Sequence, residues 1–342
     1  MAAPVLYPVD ATFEGLAKEV TPGTAVAMTA TPPLDTFKWS DKWVELDDKA
    51  PRGVMGDDSF GVYQGVWTCD VPSLGGPVYP DTLPWWVGNI LGDITTTGSA
   101  APFQHVISLL NPAAGNSYQA QPTTHTLTHY YGATASTGTR QIPYFCLSQL
   151  QLTWEAATGM LMWSGKGTGF RSQAAAARPT AAPSTIKPYA AWSGTAGVGG
   201  TVAGSPVNNL EKATITINRT LEVVPVANGV QNPLAIGRAG LAVTYDFTFL
   251  TQDETYYTDY INNVQPQLQF IFTAGSGGTL VSIQVDIQQA AFNKADPDYS
   301  KKFVRWNISG KGVFNTTNIG ASGGQGPIQF TIKNAVTAGT YI

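Results

Sequence analysis

Cysteine is nearly absent from this chain: Cys69 and Cys146 are the only two in 342 residues, so no disulfide framework holds it together. Each sits in an apolar strand pattern, which points to buried thiols rather than a redox pair. Charge is scarce as well. Lys, Arg, Asp and Glu make up 12% of the residues, against about 25% in an ordinary soluble protein. Such a surface is either covered in hydroxyl and amide groups or buried against partners, and the abundant Thr, Ser, Gln and Asn allow both. Basic clusters are missing and the formal net charge is −4, which argues against a protein that grips nucleic acid through its phosphates. No apolar run approaches the ~20 residues of a membrane-spanning helix. The opening stretch, MAAPVLYPVDATFEGLAKEV, lacks a basic region followed by an apolar one and does not read as a signal peptide. The glycosylation sequons at Asn218, Asn307 and Asn315 then read as chance matches.

What is plentiful points to sheet. Thirty-six Gly and 23 Pro among many β-branched and aromatic residues favour short strands and turns. In LQLTWE, Leu150, Leu152 and Trp154 alternate with Gln151, Thr153 and Glu155. In VSIQVDIQ, Val281, Ile283, Val285 and Ile287 alternate with Ser282, Gln284, Asp286 and Gln288. This period predicts strands packed on one face and wet on the other. A second strand follows each, and both second strands end in Ser-Gly-Lys-Gly, at 164–167 and 309–312. Two segments predict amphipathic helices. Over 79–93, Leu83, Trp86, Val87, Ile90 and Leu91 form one stripe, with Asp81 or Thr82 as cap, Pro84 in the first turn and Gly92 as the stop. Trp85 falls off that stripe and is the exposed member of the pair. Over 251–266, Tyr257, Tyr260, Ile261 and Val264 form the stripe, Thr251 and Glu254 a capping box, and Pro266 the end.

The order strand, long loop, strand, helix, strand pair, Ser-Gly-Lys-Gly occurs twice. A slide of 176 residues lays Leu34, Val54, Gly61, Thr68, Asp70 and Leu74 on identical residues of the stretch 210–250. We read a tandem duplication, with a first domain at 1–180, a linker at 181–199 and a second domain at 200–342. The Ala-, Pro- and Ser-rich stretch 171–188 fits an extended connection.

No motif for chemistry survives its own spacing requirements. A phosphate-binding loop needs Gly-x4-Gly-Lys-Ser/Thr between strand and helix. Met160 and Arg305 stand where the first Gly belongs, Gly167 and Gly312 where the hydroxyl belongs, and no helical pattern follows. His125 and His129 have the spacing of a zinc pair, but no Glu follows the first, so they read as residues of a solvent-facing strand. His105 is isolated and no nucleophile elbow occurs. Asp70 and Asp246 occupy matched positions that suit a structural role. No catalytic set, metal or cofactor is expected, and the chain reads as a non-enzyme. Two loops, 45–60 and 222–237, are far longer than the ~2–5 residues a hairpin needs, which marks them for contacts.

The stretches ATFEGLAKEVTPGTAVA (11–27), YPDTLPWWVGNILGD (79–93) and ASGGQGPIQFTIKNAVTAGTYI (321–342) resemble the major tail tube protein of long-tailed, siphovirus-type bacteriophages, particularly those of actinobacteria. The resemblance runs over nearly the whole chain. It implies a mainly β fold with two tandem tail-tube-type β-sandwich domains, each with one flanking α-helix. Inner sheets of neighbours would join into a β-barrel tube. It implies a structural virion protein, made in the host bacterial cytoplasm, whose rings stack into a hollow tail that conducts DNA. Partners would be further copies of itself, a tape-measure protein, and tail-tip and terminator proteins. DNA would pass transiently, without sequence-specific binding, and no membrane is involved. Two tube domains per chain favour three chains in a pseudo-sixfold ring. The alternative is six chains, with one half of each a decoration or linker. A virion decoration or fibre protein, or a carbohydrate-binding β protein, is the competing reading of the composition.

On the tube reading the lumen should be polar to acidic, without a basic track. The wet residues Gln149, Gln151, Thr153 and Glu155, with Ser282, Gln284, Asp286 and Gln288, are the lumen candidates. Ring-to-ring contacts fall to the loops. They are Asp47, Asp48, Lys49, Pro51, Arg52, Met55, Asp57 and Asp58 in the first, and Val226, Asn228, Gln231, Asn232 and Leu234 in the second.

Overall fold

Alternating apolar and polar residues fold most of the chain into two sheets stacked face to face. The computed structural model describes residues 7–48, 62–111, 121–132, 138–157, 159–175, 180–191 and 200–341. The larger sheet contains β1 (Phe13–Lys18), β2 (Thr36–Asp47), β3 (Val62–Pro77), β6 (His125–Tyr130), β7 (Thr139–Glu155), β8 (Met162–Gly169) and β9 (Gln173–Ala174). From the second half it takes β12 (Leu210–Val224), β13 (Ala235–Leu250), β16 (Ala290–Asp298) and β17 (Arg305–Gly312). Its main path runs β2-β3-β8-β7-β12-β13-β17-β16; β6 and β9 pair with the start of β7, and β1 with β6. The smaller sheet holds β4 (Gly92–Thr97), β5 (Phe103–Leu109), β10 (Gly200–Val202), β11 (Ser205–Val207), β14 (Leu268–Ala274), β15 (Val281–Ile287) and β18 (Gln329–Asn334), in the order β11-β10-β14-β15-β18-β5-β4.

One core spans both halves. Leu150, Leu152 and Trp154 of β7 and Ile215 and Phe247 of the second half pack against Phe270, Phe272, Ile283 and Val285. Trp154 lies edge-on to Phe270 and Phe272, with ring centres 5.2 and 5.4 Å away. Each such side chain contributes about 1.5–3 kcal/mol by leaving water. The main path reads as one four-strand arrangement laid end to end twice, joined where β7 pairs with β12 from Gln149↔Asn218 to Glu155↔Lys212.

The twice-occurring motif now has a packing explanation. In β8, Gly165 and Gly167 are buried while Ser164 and Lys166 are exposed. A Cβ on Gly167 would come 2.5 Å from the Cys146 carbonyl oxygen and 2.7 Å from the Phe145 ring. A Cβ on Gly310 in β17 would collide with the Ala291 carbonyl and the Tyr245 hydroxyl. Aromatic rings fill the space above the strand, so only glycine fits beneath them.

Three expectations about elements change. First, the partner of the second motif strand is β16, not VSIQVDIQ, which forms β15 in the smaller sheet. The bulge after Phe292, the exposed Asn293 and Lys294, and Pro297 mask the alternation of β16, as is common at a sheet edge. Second, Ser309 pairs with Asp246 whereas Ser164 pairs with Gly75, so the motif aligns Asp246 with Gly75 rather than Asp70. Register shifts in β2, β3 and β8 absorb the offset that an ungapped slide ignores. Third, the helices differ in fate. The first, α1 (Leu83–Leu91), is buried at all nine positions, Trp85 included, and stops at Gly92 with φ 96°. Its Thr82 makes no side-chain cap, and Asp81 instead accepts the Ser184 hydroxyl at 2.9 Å. The second, α2 (Thr255–Ile261), is short and lacks the capping box: Glu254 itself stands at the cap position without a side-chain hydrogen bond, and Thr251, just past the end of β13, puts its N–H on the Val304 carbonyl. Its expected core stripe faces outward: Tyr257, Tyr260, Ile261 and Val264 are 37–59% exposed.

The stretch 180–191 does not hang free. Tyr189 and Ala191 lie in the core, and Leu161 and Tyr189 share a backbone hydrogen bond. The C-terminus likewise returns to the first half, where Tyr341 packs edge-on against Trp85 at 5.3 Å.

Candidate functional site

The open face of the larger sheet is a continuous carpet of amide and hydroxyl groups. Gln149 donates to Asn218 at 2.9 Å and Gln151 to Thr216 at 3.0 Å, across the β7–β12 seam. Thr248 donates to Asn307 at 2.9 Å farther along. Gln149, Gln151, Thr153 and Glu155 therefore all lie on this face, as their alternation predicted. The face is polar but not acidic. Lys42 pairs with Asp70, Lys294 with Asp296 at 2.9 Å, and Lys212 stands opposite Glu155. Lys38, Lys166 and Lys311 face Ser73, Gln149 and Thr244 instead.

The second set of lumen candidates lies elsewhere. Ser282, Gln284 and Asp286 belong to the outward side of β15 in the smaller sheet, and Gln288 lies past its end. The two sheets pack on each other, so the two sets point in opposite directions and cannot line one channel together. Asp286 is 9% exposed and accepts from Gln267 and Gln269, at 2.6 and 3.1 Å. Burial raises its pKa despite those two donors.

Among the described residues, both ends of the main path are long strands with one unpaired edge, β2 and β16. Lys38 and Lys42 line the first, Lys294, Asp296 and Pro297 the second, which are residues that discourage indiscriminate edge pairing.

The β7–β12 seam shows what happens when two such edges meet. Arg219 of β12 and Arg238 of β13 are about 95% buried. Arg219 donates to the carbonyls of Ile90 and Leu91, and Arg238 to those of Asn89 (2.7 Å) and Thr123 (3.2 Å). Two cations of the second half thus close the C-terminal end of α1, where unpaired carbonyls and the negative end of the helix dipole favour positive charge. Burial, then its Arg238 neighbour, lowers the pKa of Arg219 to about 10. Beyond the seam, Leu221, Val223 and Ile236 of the β12–β13 hairpin cover Tyr144, Cys146 and Phe170. These arginines were missed by pattern reading, although Arg219 occupies an inward position after Ile215 and Ile217, where a charge needs a partner.

Of the loop candidates, Lys49, Pro51, Arg52, Met55, Asp57 and Asp58 lie outside the described residues. Asp47 ends β2, with Asp48 next to it. Val226, Asn228, Asn232 and Leu234 lie on the exposed β12–β13 connection. Gln231 beside them reaches back to β3, donating to the Gln64 carbonyl at 2.9 Å and accepting the Trp67 N–H at 2.9 Å.

The histidines are structural. Contrary to the solvent-facing expectation, His125 is fully buried, because α1 and the C-terminal segment cover its strand. Asn89 donates to its Nδ1 at 2.8 Å, leaving Nε2–H to donate to the Tyr341 carbonyl at 3.2 Å. Burial lowers its pKa to about 3. His129 is half-buried, 3.0 Å from Glu14, and His105 is buried between Thr96 and Asn334. Both cysteines are buried and unpaired with each other, and no cluster of metal-ligating side chains occurs among the described residues.

Compared with known families, residues 68–337 match the model described as phage tail tube protein. No curated protein matches the chain.

Proposed function

This chain belongs to the phage tail tube protein family, and on that premise we propose that three copies close edge to edge into a ring, rings stacking into the hollow tail of a long-tailed phage. The observation that carries this reading is the main path of the larger sheet: one four-strand arrangement occurs twice and leaves a long free edge at each end. The tandem duplication supplies the count. Two repeats per chain reach pseudo-sixfold symmetry with three chains, and β16 of one copy meets β2 of the next as β7 meets β12. Three copies of the eight-strand path make 24 strands. At roughly 4.8 Å per strand and 35–45° tilt, that barrel is about 45–52 Å across between backbones, an open channel rather than a filled core.

The open face of the larger sheet then lines the lumen, with Gln149, Gln151, Thr153 and Glu155, while Ser282, Gln284 and Asp286 look outward. DNA crosses a surface of amides and hydroxyls whose lysines are partly offset by neighbouring carboxylates, so it passes without sequence-specific grip. The two long hairpin loops serve ring-to-ring contacts. Synthesis in the host cytoplasm, an actinobacterial host, and a tape-measure protein and tail-tip and terminator proteins as partners follow from the resemblance. Electron microscopy with mass-per-length measurement tests the reading. Hollow tubes of constant width with three chains per ring are expected. Six chains per ring would overturn the trimer, and a chain that stays monomeric under all conditions would overturn the assembly.

A further inference from the structure

Most of the exposed large apolar side chains among the described residues gather at the two ends of the larger sheet's strands. Followed from strand to strand, the register sets the β2–β3 tip at one end and the β16–β17 turn at the other. At the first end the ribbon outruns its cover. Trp43 and Trp67 are partly buried, but residues 44–47 and 62–64 are exposed on both faces of the ribbon. Leu46 stands opposite Tyr63 there, and Glu45, Asp47 and Asp48 interleave with the apolar residues.

At the opposite end, Tyr299 and Phe303 of the β16–β17 turn are 72% and 70% exposed. Tyr257 of α2 stacks on Trp306 at 5.3 Å, and the Thr251 N–H bonds the Val304 carbonyl. Turn and helix therefore form one apolar surface, which includes the exposed Ile261. Glu211 holds Arg305 at 2.6 Å and lies 3.8 Å from Lys301, which leaves Lys302, beside Phe303, as an exposed cation. The carboxylates nearby are engaged, Asp253 with the Thr255 N–H and Asp298 with the Ser300 N–H.

We propose that the β2–β3 tip of one copy docks on this surface of a second copy in the neighbouring ring, so that successive rings join by unlike ends. This rests on the tube reading and deepens it, since that reading assigns loops to stacking but no surface to receive them. Three observations select a second copy as the occupant. Both patches interleave apolar residues with charge, and the signs are opposite: residues 44–48 hold three carboxylates and no cation, residues 299–304 two lysines and no carboxylate. The patches lie at opposite strand ends, where contact between unlike surfaces repeats along a line instead of closing on itself. The β7–β8 turn at the same end, 156–160, offers neither a cation nor an aromatic ring. Apolar area buried between ribbon and turn supplies the attraction, and the exposed charges supply selectivity more than strength.

The test pairs Leu46→Cys with Phe303→Cys in the full-length chain, oxidised with copper phenanthroline after assembly. Cys69 and Cys146 are buried and stay out of the reaction. Within one chain the two positions are too far apart to join, because β2 alone runs about 33 Å from Thr36 to Leu46. A ladder of cross-linked chains that lengthens with the tubes is expected. A ladder that closes at the number of chains in one ring would overturn the proposal, by placing the contact within the ring. Normal tubes without a cross-link would overturn it in favour of another occupant, such as a different tail protein. As a second arm, Lys302→Glu should lower the yield of sedimentable tubes at least tenfold while the melting temperature of the unassembled chain stays unchanged. Adding Glu45→Lys to that variant should restore the yield. Unmodified yield from Lys302→Glu alone, or no recovery in the combined variant, would overturn the pairing. Failure of the tube reading itself is distinct, because it shows as absence of tubes from the unmodified chain.

Discussion

The glycines of the Ser-Gly-Lys-Gly strands offer a sharp test of whether that motif serves packing or binding. In Gly310→Ala the new methyl would meet the Ala291 carbonyl and the Tyr245 hydroxyl, and in Gly167→Ala the Cys146 carbonyl and the Phe145 ring. Backbone carbonyls in a paired ladder cannot swing aside, and Tyr245 is 1% exposed and stacked on Phe247 at 5.0 Å. Forcing a methyl into such a site costs about 1–3 kcal/mol. Gly240 is the control: nothing lies within 4 Å of its added Cβ, and its φ is outside the left-handed region. Alanine there should be neutral or stabilising by about 0.4–1 kcal/mol, through the unfolded chain. Urea midpoints of the unassembled variants, at constant m, measure all three. Lys166→Gln and Lys311→Gln complete the set; both side chains are exposed, and their midpoints should stay within about 0.5 kcal/mol of the unmodified chain. If Gly310→Ala unfolds at the midpoint of Gly240→Ala, the packing explanation fails.

Arg238→Met should cost about 2–4 kcal/mol in thermal unfolding, because it strips donors from the Asn89 and Thr123 carbonyls; an unchanged melting temperature would mean that the α1 end is satisfied otherwise. His125 stays neutral in the folded chain to about pH 3, whereas in the unfolded chain it takes a proton below about 6.5. The unfolded state therefore binds the extra proton, and stability should fall by about 1.4 kcal/mol per pH unit as pH drops between those values. His125→Gln should flatten that slope in a pH series of urea midpoints. Ile261→Glu, at a 59% exposed position, should leave the fold intact but weaken assembly in sedimentation, whereas undiminished tubes would exclude α2 from every contact. Deleting 51–58 should give a folded chain that no longer polymerises, and normal tubes would clear that loop of a ring-to-ring role.

Strand faces were legible because period-two alternation is read directly by burial. Leu150, Leu152 and Trp154 are at most 2% exposed, and their polar neighbours line the open face. Sheet membership was not legible, because β7 and β15 carry the same alternation and nothing in either says which layer it joins. On the proposed duplication the counterpart of β7 is the edge strand β16, which hides behind a bulge, Lys294 and Pro297. Helical stripes were found in both halves of the chain, but a stripe cannot say whether its cover comes from the same chain. Arg219, Arg238 and Tyr341 of the second half close over α1, whereas the α2 stripe stays exposed. The buried histidines defeated the pattern for a related reason: their cover, Tyr341 and α1, lies far away in sequence.

The scarcity of charge acquires meaning from where the few charges stand. Two arginines are spent in the interior, on carbonyls at a helix end where no carboxylate is required to hold them. Lysines and aspartates gather on the unpaired strands β2 and β16, where the backbone offers hydrogen bonds to any passing strand. A charged edge raises the cost of joining a wrong partner, since each ammonium or carboxylate must lose water without a matched opposite. On the proposed duplication, a chain with two repeats needs that discrimination more than a chain with one. Its β2 and β16 edges resemble its own internal seam, so mispairing two β2 edges or two β16 edges is the nearest competing structure.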